Sequence, residues 1–60
     1  MSDVKYLYGF ISDFWAFCRE NYGNKDWDTV VKKAETLCEK YPDKHLIKIV
    51  CEGVDYLADI

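Results

Sequence analysis

The chain has 60 residues, half of them hydrophobic and 17% aromatic, with a formal net charge of -3. This apolar and aromatic content excludes a disordered tail, and an acidic balance without a basic stretch argues against direct binding to nucleic-acid phosphate. A chain this short makes one domain, residues 1–60, and folding hides only about 60% of the surface its unfolded form exposes, so a disulfide, a metal or an oligomeric interface is expected to support it.

A first helix is predicted over residues 3–22. Ser2 is a good N-cap, Asp3 sets a negative charge in the first turn, and Gly23 can take the left-handed conformation that closes a helix. An ideal wheel puts Val4, Leu7, Tyr8, Ile11, Phe14, Trp15, Cys18 and Tyr22 on one stripe, read as the core side, with Tyr6, Phe10 and Phe17 on a second stripe beside it. Together they span roughly 200°, twice the arc that one core-facing side requires. Gly9 falls opposite that expected core, where it reads as a solvent-side glycine costing roughly 1 kcal/mol relative to alanine.

Asn24 and Lys25 make a short turn, and Asp26 is the N-cap of a second helix over 27–41. Trp27, Val30, Val31, Ala34, Leu37, Cys38 and Tyr41 recur at helical spacing within an arc of about 120°, opposite Lys32, Lys33, Glu35, Thr36, Glu39 and Lys40. Pro42 ends this helix, because the residue before a proline is pushed out of the helical region. Asp43 then caps a third helix over 44–59. Leu46, Ile47, Val50, Cys51, Val54, Leu57 and Ala58 define its core side, and Ile49, Gly53, Tyr56 and Ile60 form a second apolar side. Its apolar arc is again about twice what one interface needs. Two short connections imply antiparallel neighbours, so the expected fold is all-α, a small three-helix up-down-up bundle that self-associates.

In that topology the first and third helices lie side by side and their surplus stripes merge. The expected binding patch joins Tyr6, Phe10 and Phe17 to Ile49, Gly53, Tyr56 and Ile60, with Asp13 and Glu20 as a polar rim. A glycine among large apolar residues lets two backbones approach or leaves a socket for an aromatic ring. Aromatic anchors with few charges are what the centre of a protein interface contains. The alternative is that the two stripes close over each other inside the monomer.

No residue pattern carries catalysis. Cys18, Cys38, His45 and Cys51 could be counted as zinc ligands, but structural zinc sites use ligand pairs two to four residues apart and none exists here. The thiols are expected as small buried hydrophobes of a reducing compartment, with His45 on the polar side of its helix. Nothing pairs a nucleophile with a base, the three glycines are isolated and form no phosphate loop, and a bundle this small is not expected to enclose a substrate pocket. Neither catalytic residues, metal nor cofactor are therefore expected. A helix-turn-helix reading of helices two and three places Glu52, Asp55 and Asp59 where phosphate would lie. Acidic mimicry of nucleic acid would want a denser run of carboxylates. No run of 18 apolar residues exists to span a membrane, and the opening MSDVKYLYGF lacks the basic region and cleavage site of a secretory signal, so a cytoplasmic location is expected.

The segment FISDFWAFCRENYG, followed by a tryptophan-led helix ending in LCEKY, resembles short uncharacterised helical proteins of phages and mobile elements of Firmicutes. The likeness covers the first two helices and transfers no functional residues. Some small phage products act by stoichiometric binding to a host protein, so the resemblance implies an interaction protein that blocks a host defence or regulatory protein. Together these readings give a non-enzymatic, homodimeric protein-protein interaction module, with a purely structural assembly subunit as the alternative and a nucleic-acid mimic or regulator behind it.

Overall fold

A computed structural model describes residues 4–60. They form three α-helices, α1 (Val4–Asn21), α2 (Trp27–Lys40) and α3 (Lys44–Asp59), with no strand among the described residues. These bounds agree with the predicted helices to within one residue. Ser2 and Asp3, the expected cap and first-turn charge of α1, lie outside the described residues.

Each boundary has a local cause. α1 ends because Gly23 adopts φ +74°, a backbone that other residues enter only with strain. Amide side chains then tie the turn: Asn24 Nδ2 donates to Asn21 Oδ1 at 3.2 Å, Asn24 Oδ1 accepts from the Asp26 N–H at 2.9 Å, and Asn21 Nδ2 donates to the Phe17 carbonyl at 2.8 Å. Asn21 is thereby buried with its polar atoms satisfied. Asp26 caps α2 by accepting from the N–H and the hydroxyl of Thr29. At the other end the Tyr41 N–H bonds to the Leu37 carbonyl at 3.0 Å, and Pro42 has no N–H with which to extend the helix. Asp43 caps α3 with one carboxylate oxygen that accepts from the N–H groups of His45 at 2.8 Å and Leu46 at 3.3 Å.

The core joins Phe10 and Phe17 of α1 to Val30, Ala34 and Leu37 of α2, Tyr41 at its end, and Leu46, Val50 and Leu57 of α3. Of the stripe expected of α2, Val30, Ala34, Leu37 and Tyr41 are buried, Val31 and Cys38 are half-buried, and Trp27 at its first turn is exposed. In α1 the two stripes are exchanged. Phe10 is 1% exposed and Phe17 is buried, whereas Tyr8 at 73%, Trp15 at 64% and Tyr22 at 68% face outward together with Val4, Leu7 and Ile11. Phe14 and Cys18 alone of the expected core stripe pack against the interior, both half-buried.

Shape accounts for this exchange better than hydrophobicity does, since both stripes are apolar. Phe14 lies directly over Gly53, so close that a Cβ built there would sit 2.6 Å from the ring's Cζ. Tyr41 reaches across to α1, where its ring meets Phe10 edge-on at 5.4 Å and Tyr6 at 5.3 Å. Phe10 and Phe17 stack on either side of Phe14 at 5.6 and 6.4 Å, making a continuous row of rings. Gly9 is consequently not a solvent-side residue: a Cβ there would lie 3.2 Å from the Tyr41 hydroxyl. On α3 the expected core residues Cys51 and Ala58 are exposed, and Gly53 is instead covered by a ring of the same chain.

The register fixes the topology. Phe14 meets Gly53, and one and two turns onward Cys18 and Tyr22 lie beside Tyr56 and Leu57, so α1 and α3 run in the same direction and α2 runs opposite to both. The bundle measures 37 × 17 × 16 Å. α2 covers one side of the α1 and α3 pair and leaves the other side open.

Candidate functional site

The open side is built from the residues that the exchange of stripes turned outward. On α1 the angular order is Leu7, Ile11, Val4 with Tyr22, then Trp15 and Tyr8, and on α3 it is Tyr56, Ile49 and Ile60. Between the helices runs an apolar groove of about 510 Å³ lined by Trp15, Cys18, Arg19, Tyr22, Tyr56 and Leu57. Charged side chains border the face: Arg19, which also reaches the groove, on α1, and Glu52 and Asp59 with Lys48 on α3. Apolar patches beyond a few hundred Å² are uncommon on monomers and mark interaction sites.

The residues expected to anchor this patch are only partly brought together by the fold. Ile49, Tyr56 and Ile60 are exposed on it, at 43%, 63% and 55%. Phe10 and Phe17 are core residues and cannot touch a partner, which corrects their expected role as anchors. Tyr6 is half-buried against Tyr41, and Gly53 holds Phe14. Glu20 stands on the far side of α1, on the wall of a hollow of about 250 Å³ between α1 and α2.

Asp13, expected as part of the rim, is a structural staple. It accepts a 2.6 Å hydrogen bond from the Tyr41 hydroxyl and pairs with Lys40 at 2.9 Å. The Lys40 hydrogen bond, followed by that of Tyr41, holds the Asp13 carboxyl below its ordinary pKa. The same contact raises Lys40, and it raises the Tyr41 phenol because a carboxylate stabilises the protonated donor. Lys40 also lies 5.6 Å from the centre of the Tyr41 ring. Tyr41 is thus the hinge pin between α1 and α2. The sequence signals its burial through the α2 stripe, but nothing in the spacing links it to Asp13, 28 residues away.

The thiols stand apart. Cys51 is exposed, and Cys18 and Cys38 are half-buried, each pushed to a higher pKa by burial, Cys38 also by Cys51 and Glu35 nearby. Cys38 and Cys51 both line an open hollow of about 610 Å³ between α2 and α3, together with Val31, Val50 and Val54. Hollows of several hundred Å³ therefore do occur on this small fold, as grooves open to solvent. Among the described residues no three His, Cys, Asp or Glu side chains converge as metal ligands, and no helix there is long and apolar enough to cross a membrane. No protein-family model, curated protein or solved structure matches this chain.

Proposed function

We propose that this chain is a non-enzymatic, cytoplasmic protein-protein interaction module that acts by occupying a protein surface with the open side of α1 and α3. The observation that carries this reading is the outward stripe of α1, on which Tyr8, Trp15 and Tyr22 are each about two-thirds exposed in a continuous apolar row. Exposing three large aromatic side chains is unfavourable for an isolated domain, at roughly 1.5–3 kcal/mol for each large apolar side chain left in water. Tyrosine and tryptophan are also the side chains that most often dominate binding energy at interfaces. The resemblance to short phage and mobile-element proteins fits stoichiometric action of this kind.

The test is photo-crosslinking in cells that express the protein. A benzoylphenylalanine in place of Tyr8 should yield a discrete protein adduct. The same group in place of Lys32, which is exposed on the polar side of α2, should yield none. Equal labelling from both positions, or none from Tyr8, overturns the proposal.

A further inference from the structure

We infer that the occupant of the open side is a second copy of this chain, docked about a two-fold axis that runs along the groove between α1 and α3. This rests on the reading of that side as a protein-binding surface and names its partner. Area, charge and symmetry together carry it.

The area is of the right size. Tyr8, Trp15, Tyr22 and Tyr56 are 63–73% exposed, and at roughly 200 Å² for a whole aromatic side chain they offer on the order of 500 Å². The partly exposed aliphatic side chains beside them, Ile11 and Ile60 among them, bring the face to roughly 800 Å², which is what each partner contributes to a standard interface.

Charge then selects the arrangement. A two-fold axis along the helices keeps all four facing helices parallel and sets the α1 edge of one copy against the α3 edge of the other. The register of Phe14 with Gly53 puts Arg19 and Asp59 at nearly the same height along the bundle, given the rise of about 1.5 Å per residue. Each Arg19 therefore meets the Asp59 of the other copy, twice per dimer. Within the chain neither side chain makes an ion pair among the described residues. An axis across the helices would instead set α3 edge against α3 edge, with Glu52 towards its own counterpart. The parallel arrangement also seats Trp15 and Tyr22 of one copy over Tyr56 and Ile60 of the other, so that α1 and α3 of both copies make a four-helix layer capped on each outer side by α2.

The experiment is light scattering on the purified chain over a concentration series, with three variants checked for helix content by circular dichroism. The wild type should show twice the 7.1 kDa chain mass, and Trp15→Glu should weaken dimerisation by 100-fold or more while staying helical. Arg19→Asp and Asp59→Arg lie on the exposed edges, and each alone should weaken the dimer by about tenfold, because both symmetric contacts become repulsive. Mixing these two variants in equal amounts should restore the dimer, since a mixed pair has opposite charges at both contacts. A wild type that remains monomeric at millimolar concentration overturns the inference. So does a wild-type dimer whose two edge variants fail to recover on mixing, because its axis must then lie elsewhere. A monomer in solution that still crosslinks from Tyr8 to another protein sinks the second copy but leaves the proposed function standing.

Discussion

Replacing Gly53 with alanine tests the contact that sets α1 against α3. Alanine favours a helix interior over glycine by about 1 kcal/mol, so at an ordinary position on α3 the substitution would stabilise the protein. Here the new Cβ would meet Phe14 Cζ at 2.6 Å and Cε1 at 2.7 Å, about 1 Å inside the normal contact distance between carbons. The ring has little room to yield, because Phe10 and Phe17 flank it at 5.6 and 6.4 Å. Overpacking of this kind costs about 1–3 kcal/mol, so after the helical gain of about 1 kcal/mol the net loss is up to about 2 kcal/mol. For a domain of this size that is a fall in midpoint of up to roughly 15 °C. The assay is thermal unfolding followed by circular dichroism at one low protein concentration, since the proposed association would make the midpoint depend on concentration. Phe14→Leu shortens the side chain that occupies the notch, so its cost should be smaller in the Gly53→Ala background by about 1 kcal/mol or more. Gly9→Ala serves as the comparison, for its Cβ would approach only the Tyr41 hydroxyl at 3.2 Å, and it should change stability less. A Gly53→Ala protein that melts above wild type, or strict additivity with Phe14→Leu, would refute the reasoning.

Asp43→Ala removes the acceptor for two N–H groups at the start of α3 and should cost about 1 kcal/mol by chemical denaturation. The Asp13 carboxyl is depressed in the folded state, so its contribution is complete above the unfolded value near 3.9 and is lost as pH falls through the lower folded value. Unfolding midpoints should therefore drop below about pH 4, and Tyr41→Phe or Lys40→Met should flatten that drop by removing a hydrogen bond that depresses Asp13. In a thiol-reagent titration, Cys51 should react first, with Cys18 and Cys38 slower because burial keeps them protonated.

The helices were legible because their boundaries are written in local chemistry. Asp26, Asp43, Pro42 and Gly23 act within a few residues of where they stand, and the caps and stops they make are those seen. The inward side of α2 was legible for another reason: only one arc of that helix is apolar, so burial has one solution. α1 offered two apolar stripes and no polar side between them, and a helical wheel cannot rank them. What decides is held in α3 and at the end of α2, in the notch at Gly53 and the Tyr41 hydroxyl that binds Asp13. Both are contacts across more than 25 positions of chain, invisible to periodicity. The spacing places the patch between α1 and α3, where Tyr56, Ile49 and Ile60 are exposed, but the exposed α1 residues beside them are those that the wheel assigns to the core. Asn21 could have been noticed as a short amide two positions before a helix-closing glycine, where its side chain can fold back on the backbone.

The ring seated on Gly53 has a further consequence for how the outward side of α1 is presented. With an oily coat on two sides, α1 resembles a roller that could settle at either of two angles about its own long axis with similar loss of water contact. Phe14 in its notch works as a detent that stops the roller at one angle. The outward aromatic row is then presented already aligned, so binding of the proposed kind would leave little ordering to the moment of contact. A residue larger than glycine at position 53 would do more than loosen the fold. It would remove one of the two contacts that set the angle of α1 and leave the bond from Tyr41 to Asp13 to hold it.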